Sequence, residues 1–366
     1  MIVVASCGHH ADDERIYYKQ INAISKVGPI EYFTYNNLNV TINDDAINHH
    51  QINSNQCSKS KYKKKIFQFI RHNNPLILHI HDLELLPVAY KAKLNNNNIK
   101  IIYDVHEDLI SMWDALSKYS GMIKKTINTI LSKMELSYLK YVDCFILANK
   151  FADQSRYKKF GPVHIIQNFP INNYSYEQSN INKPYKLIYH GQLDYNRGIM
   201  TLINTFNRLS QKYNNLELKL VGQFRTPRME TDIKNVIIKN KNIKLIKHIP
   251  YNKIWPILYD SHIGVIPFHD MSVFQKNTPT KLFEFMATNC AVVSSNLQPI
   301  CSVASESISF AHPNNEEALF SAIELYLNNT NIYKEHILLN QNMIKEKYNW
   351  KIEEKKLLNI YKNLIK

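Results

Sequence analysis

Short β-branched runs and amphipathic stretches alternate along this chain, break once, and then alternate again. In the first half the runs are IVVAS, IEYFTY, LILHI, KIIYDV, CFILA and VHIIQ. Helical patterns lie among them, such as RIYYKQINAISKV, ending at Gly28, and KKTINTILSKMELSYLKYV. Strand alternating with helix predicts a parallel sheet covered on both faces, an α/β architecture. The polar stretch INNYSYEQSNINKP, residues 171–184, interrupts the pattern and reads as a linker. KLIYHG, ELKLVG, NIKLI, HIGVIPF and CAVVSS then restart it. A chain of 366 residues exceeds one typical core. The expectation is two doubly wound domains, residues 1–170 and 171–349, facing across a cleft. Open sheets of this kind bind ligands beyond the carboxyl ends of their strands.

Those strand ends are polar in two different ways. In the first half they read ASCGHHADDERI, HIHDLE and YDVHEDL, rich in histidines and acids. In the second they read YHGQLDYNRG, VGQFRTPR and NTPTKLFEFMATNCAVVSS, with arginines, a lysine and a glutamate. The last stretch predicts a helix with Thr278 as N-cap, Pro279 in the first helical position and Asn289 in the left-handed conformation after the end. Leu282, Phe285 and Met286 recur at helical spacing and make a core face. Lys281, Glu284 and Thr288 form a separate polar stripe, which in isolation reads as a solvated face.

Composition narrows the partners. Hydrophobic residues make up 45% and charged residues 21%, so a full core is available. The formal charge of +14 suits nucleic acid, an anionic membrane or a phosphorylated small molecule. An RNP, helix-turn-helix or zinc signature is lacking, so nucleic acid is set aside. The densest basic block is KSKYKKKIFQFIR, residues 59–71. It reads either as a helix on an anionic bilayer, with Phe67 and Ile70 inserting, or as an ordinary surface helix with lysines on its wet side. The five cysteines, Cys7, Cys57, Cys144, Cys290 and Cys301, include no CxxC pair and read as reduced thiols. Apolar runs are too short to span a bilayer, and the chain opens directly on the strand-like MIVVAS, so a cytoplasmic location is expected.

IYHGQLDYNRGIMTLI resembles the strand and glycine turn that open the donor domain of glycosyltransferase family 4, and TPTKLFEFMATNCAVVSS resembles its donor helix. HIHDLELLPVA and YDVHED are similar to acceptor-domain segments of the family's bacterial cell-surface polysaccharide members. NWKIEEKKLLNIYKNL is similar to the closing helix that crosses back to the first domain, here residues 350–366. The resemblance implies the GT-B fold, two Rossmann-like domains, and a retaining transferase using a UDP- or GDP-sugar. It implies a glycan acceptor, lipid-linked, in O-antigen or capsule synthesis at the inner face of the membrane.

The implied donor site comprises Gly191, Arg197, Thr280, Lys281 and Glu284. Arg197 and Lys281 neutralise the leaving diphosphate, and Glu284 accepts two ribose hydroxyls. With those cations in place, and without a D-x-D sequence, neither a metal nor another cofactor is expected. His106 is implied beside the donor sugar as a catalytic residue. His81, Asp82, Asp13 and Arg15 are implied on the acceptor side, although Asp13 as a helix cap with an Arg15 ion pair explains the last two nearly as well. Two positions depart from the family. Gln192 stands where an arginine is common, and Lys276 stands where the first of two acids belongs, with Asp270 the nearest acid in that loop. A nucleotide-sugar epimerase of the same fold is the competing reading.

Overall fold

The computed structural model describes residues 1–37, 40–42, 44–106, 121–171 and 185–365. The chain divides into two compact units. One is Met1–Asn168 together with Trp350–Lys366, and the other is Phe169–Asn349. All but Ile171 of the expected linker lies outside the described residues. The change of unit falls before Phe169, whose ring meets Phe283 at 4.7 Å and Tyr348 at 5.3 Å inside the second core.

Among the described residues the first unit holds a seven-stranded parallel sheet in the order β3-β2-β1-β4-β5-β6-β7. Its strands are β1 Ile2–Ser6, β2 Ile30–Asn36, β3 Ile47–Asn53, β4 Ile77–Ile80, β5 Lys100–Val105, β6 Cys144–Leu147 and β7 Val163–Ile165. β1 pairs with β2 on one side and β4 on the other, so the winding direction reverses between β1 and β4. Beyond the carboxyl ends of such a strand pair the connections diverge and open a crevice. β1 is buried along its whole length, as IVVAS requires. β3 is a different case. It reads INHHQIN, sits at the sheet edge and fully buries only Ile47 and Ile52. An edge strand pairs on one side only, and its polar residues gave no strand signal.

The second unit repeats the design with six parallel strands in the order β10-β9-β8-β11-β12-β13. They are β8 Lys186–His190, β9 Glu217–Gly222, β10 Ile243–Lys247, β11 Ile263–Ile266, β12 Ala291–Ser295 and β13 Ser309–Ala311. Here the reversal lies between β8 and β11, which pair directly. Its core includes Leu282, Phe285 and Met286, the expected core face of the helix Thr280–Ala287.

Three local expectations are corrected. The stretch expected as one helix to Gly28 is π-helical over Glu14–Ile21, continues as α-helix over Asn22–Ile24, and ends there. Its wide turns, with the Tyr18 amide donating to Asp13 O five residues back, bring Arg15, Lys19 and Gln20 inward together. The helix Thr280–Ala287 starts two residues after the expected cap. Pro279 holds the cap position with an extended ψ of 134°, and the Thr278 hydroxyl lies 3.5 Å from Pro299 O instead. Asn289 does adopt the left-handed conformation, at φ 63°. The basic helix Lys59–Asn73 turns Tyr62, Ile66 and Ile70 into the core, and Phe67 and Phe69 pack partly against it. Ile70 is therefore not an inserting residue. What the helix offers outward is charge, from Lys61, Lys64 and Lys65.

The closing helix Trp350–Ile365 belongs to the first unit. The Tyr361 hydroxyl meets His79 Nδ1 at 2.7 Å, and Glu353 accepts the Gln167 amide at 2.8 Å. No helix among the described residues is long and apolar enough to cross a membrane.

Candidate functional site

In the second unit the site grows from the end of β8. Gly191 follows His190 with φ 110°, a left-handed value that favours glycine. A Cβ there would lie 3.1 Å from Lys281 Nζ and 3.9 Å from Arg197 Nη1, so this glycine leaves room for two cations beside the turn. Arg197 ends a short turn, Tyr195–Arg197, opened by Asp194, whose carboxylate accepts the Asn196 amide. Gly198 follows at φ 69° with its α-carbon against Pro267 O, which locks the turn onto the end of β11. The Arg197 guanidinium lies 5.6 Å from the Phe268 ring centre.

Lys281 is the unusual member. It is buried, donates to His190 O, and holds its ammonium 3.9 Å from the Tyr189 ring centre and 5.1 Å from that of Phe268. Aromatic faces stabilise a cation without neutralising it. Burial, and next the Arg197 charge, push the Lys281 amine well below its ordinary value. Among the described residues neither Lys281 nor Arg197 forms an ion pair with a carboxylate. Nor does any side chain cap the helix Thr280–Ala287, so its first amides, at half-buried Thr280 and at Lys281, face an anion without a side-chain competitor, while that of Leu282 donates to Pro279 O.

Lys281, Glu284 and Thr288 are all buried, so the polar stripe is not a solvated face. Thr288 bonds back to Glu284 O at 2.8 Å. Glu284 Oε2 lies 3.0 Å from His190 Nε2. His190, the last residue of β8, is a contributor that the sequence reading passed over, although its place directly before the glycine turn was the signal. Gln192 is exposed, as are Lys276 and Asp270, and the Asp270 carboxylate accepts from Gln275 at 2.8 Å. The structure therefore brings together Gly191, Arg197, Lys281 and Glu284, with Thr280 at the helix start. It leaves Asp270 outside that group.

The first unit gathers its expected residues where β1, β4 and β5 end. Asp104, buried in β5, receives Arg15 through Nε at 3.2 Å and Nη2 at 2.9 and 3.0 Å, while Arg15 Nη1 donates to Ile166 O at 2.6 Å. Gln20 donates to Asp104 as well. All the donor nitrogens of Arg15 are used internally, so Arg15 does not form an acceptor surface. It is the structural partner of a buried acid. Asp13 caps the π-helical segment by accepting the amides of Arg15 and Ile16, each at 2.9 Å. Asp82, also buried, ties down the loop after β1 by accepting from Ser6 Oγ at 3.0 Å, the Cys7 amide at 2.6 Å and the Gly8 amide at 3.2 Å.

Around Asp104 stand three histidines. His81 Nδ1 lies 2.8 Å from His106 Nε2, and the ring of His9 lies 4.4 Å from that of His106. His79 and His81 expose none of their side chains, whereas His106 exposes 12%. Burial drives His79 down to about 4 and His106 to about 3, and it holds His81 well below its ordinary value, so these rings are neutral near pH 7. His9 goes the other way. Burial alone would lower it, but the hydrogen bond and charge of Asp13 raise it to about 9.

His79, His81 and Asp104 each place one possible ligand atom within 4.8 Å of the others, as do Cys7, Asp82 and Glu84. The first group is poorly suited to a metal, because both Asp104 oxygens already serve Arg15 and a second cation would meet that guanidinium. In the second, burial holds the Cys7 thiol far above its usual value, in the protonated form that does not ligate.

Residues 173–350 match the family described as glycosyl transferases group 1, which spans nearly all of the second unit. Three solved structures are similar over the full chain. Sucrose-phosphate synthase from Thermosynechococcus elongatus has a TM-score of 0.77 at 14% identity, covering 100% of this chain and 99% of that one. HepE of Anabaena, solved with UDP and glucose, has a TM-score of 0.75 at 12% identity, covering 99% and 100%. A glycosyltransferase from Rickettsia africae ESF-5 has a TM-score of 0.68 at 16% identity, covering 100% and 99%. No curated protein matches the chain. The fold is GT-B, with two Rossmann-like domains. The family match supports a glycosyltransferase.

Proposed function

We propose that this protein is a retaining glycosyltransferase that moves a sugar from a UDP- or GDP-sugar to a lipid-linked glycan in bacterial surface-polysaccharide synthesis. The observation that carries the donor half is buried Lys281, set beside Arg197 across a glycine that leaves no side chain between them and any ligand. A nucleoside diphosphate brings the negative charge this pair lacks. UDP-sugars are the first donors to test, since HepE was solved with UDP-glucose and with UDP and glucose.

In the proposed reaction the bond between the sugar's anomeric carbon and the diphosphate oxygen breaks, the acceptor's hydroxyl oxygen bonds to that carbon on the same face, and the hydroxyl proton passes to the departing diphosphate. Positive charge develops on the sugar ring and negative charge on the leaving diphosphate. Lys281 and Arg197 stabilise the latter from fixed positions, with the leading amides of the helix Thr280–Ala287 adding to them. An anion beside Lys281 favours its charged form, which burial and Arg197 otherwise disfavour. Glu284, one helical turn on, accepts the ribose hydroxyls, with His190 against its other oxygen. These groups supply the charge that a divalent ion would otherwise supply, which supports metal-independent transfer. His106 is proposed at the reacting centre because it is accessible where His79 and His81 are sealed.

A binding screen of UDP- and GDP-sugars, followed by assay with glycan acceptors in the presence of EDTA, tests the proposal. Donor-dependent transfer with retained anomeric configuration is expected. A product isomerised at the sugar without transfer, or activity restored only by a divalent ion, contradicts it.

A further inference from the structure

A single hydrogen bond joins His81 to His106, and its direction decides what His106 can offer a ligand. His81 Nδ1 lies 2.8 Å from His106 Nε2, and burial keeps both rings neutral near pH 7. Two neutral rings hold one hydrogen between them, so one nitrogen donates and the other accepts. Either choice also fixes the far nitrogens. The donating ring is bare at its other nitrogen, and the accepting ring carries its hydrogen there. Asp104 Oδ2 stands 3.6 Å from His81 Nδ1 and 3.8 Å from His106 Nε2, so it holds the hydrogen between the rings without choosing its owner.

Burial makes the choice. His81 exposes none of its side chain, and its Nε2 is sealed with no hydrogen-bond partner among the described residues. If His106 donated, His81 would carry its hydrogen on that Nε2, and a buried N–H would go unmatched. An orphaned N–H is the rarer defect, and a buried acceptor left unused is better tolerated. His81 therefore donates, and His106 carries its own hydrogen on Nδ1. That nitrogen makes no hydrogen bond among the described residues, and its ring is the partly exposed one of the pair. His9 guards the same state. Against burial, Asp13 at 3.5 Å keeps the His9 ring charged, with Asp82 at 3.8 Å on its other nitrogen. That charge, on a ring 4.4 Å away, adds to burial in opposing a second proton on His106.

We infer that His81 is a positioning residue that fixes His106 as the Nδ1–H tautomer, so that His106 meets its ligand as a hydrogen-bond donor and takes no proton from it. The inference rests on the proposed transferase for the identity of that ligand, an oxygen of the substrate at the reacting centre. The acceptor's proton then has no taker at His106, in keeping with its passage to the departing diphosphate. The tautomer itself is a property of the protein without substrate, so failure of the transferase reading and failure of the positioning are separately visible.

The experiment is nitrogen-15 NMR of the whole chain labelled at histidine, near neutral pH and without substrate. The His106 signals are those lost in His106→Gln. Protonated and bare imidazole nitrogens differ widely in shift, so the tautomer is read directly. The parent should show His106 protonated at Nδ1 and bare at Nε2. His81→Asn puts an amide N–H where Nδ1 stood and should keep that form. His81→Leu removes the donor and should turn His106 toward the Nε2–H form, whose hydrogen faces Asp104. In transfer assays His81→Leu should lower kcat about tenfold, the equivalent of one hydrogen bond. His81→Asn should restore it, and UDP affinity should stay unchanged in both. A parent His106 protonated at Nε2 overturns the inference, as does a His81→Leu protein whose His106 keeps the Nδ1–H form. Equal kcat in the two variants overturns it as well. Should His81→Leu fail to fold, the parent and His81→Asn spectra decide, and loss of the Nδ1–H form in His81→Asn contradicts the assignment. If the tautomer is as stated but no sugar is transferred, the transferase reading falls and the positioning of His106 by His81 stands.

Discussion

Asp104 in the first unit and Lys281 in the second are both buried charges at the carboxyl end of a parallel sheet, yet their surroundings are opposite. Asp104 is met by two guanidinium nitrogens and an amide, so its charge is balanced within the fold. Lys281 is met by a backbone carbonyl, two aromatic rings and, across Gly191, a like-charged arginine. A buried ion without a counter-ion costs stability, and folds retain one where a ligand completes it. The contrast teaches that burial alone does not mark a site. The marker is a buried charge whose partner has to come from outside.

Removing a partner on each side tests the contrast most severely. Arg15→Met strands the Asp104 carboxylate and should cost about 3–5 kcal/mol of stability, read as a large fall in the first unit's thermal transition. If that transition stays put, Asp104 is not balanced by Arg15 and the comparison fails. Lys281→Ala and Arg197→Ala should each lower turnover by roughly 10²–10³-fold, with smaller effects on nucleoside binding, because their charge matters most as the diphosphate leaves. Unchanged kcat would place both cations outside the reaction.

Glu284→Ala should weaken nucleotide diphosphate binding through lost charge-assisted hydrogen bonds worth about 1.5–3 kcal/mol each, measured by calorimetry. An unaltered Kd would make Glu284 a structural partner of His190. The smallest effect concerns pH. His79, at about 4 in the fold against 6.5 when unfolded, stays neutral while the unfolded chain takes up a proton. Stability therefore falls as pH drops from about 6.5 toward 4, and His106 extends that window downward to about 3. His9, raised to about 9, acts in the opposite sense, stabilising below 6.5 and losing that contribution as pH rises through 9. Hydrogen exchange should show β4 and β5 losing protection below pH 6.5 before β12 and β13; β8 and β11 adjoin His262, which burial also lowers to about 4. Simultaneous loss would remove the histidine cluster from the account.

Legibility in the sequence followed burial and range. IVVAS and AVVSS announce β1 and β12 because both faces are covered and every position can be apolar. INHHQIN does not announce β3, an edge strand that fully buries only Ile47 and Ile52, and SFA, at three residues, is too short to show a pattern. Asn289 was readable because the left-handed residue after a helix is a local demand. The cap at Thr278 was misread because its hydroxyl goes to Pro299 O, a contact that spacing along one helix does not contain. The same limit applies to the site. Lys281 and Glu284 were visible as a stripe, but Tyr189 and Phe268, which make that stripe an interior surface, come from other strands. Arg15 and Asp104 stand 89 residues apart, and nothing local links them.

Lys281→Met, measured for stability and for nucleotide diphosphate affinity in the same samples, tests the central claim most directly. Methionine keeps the stem's volume and removes the uncompensated charge. The account predicts that the second unit's transition rises, by about 2–4 °C for each kcal/mol relieved, while affinity for UDP or GDP falls. A lower transition with unchanged affinity would mean that Lys281 is a satisfied structural residue, and the donor site would have to be sought elsewhere.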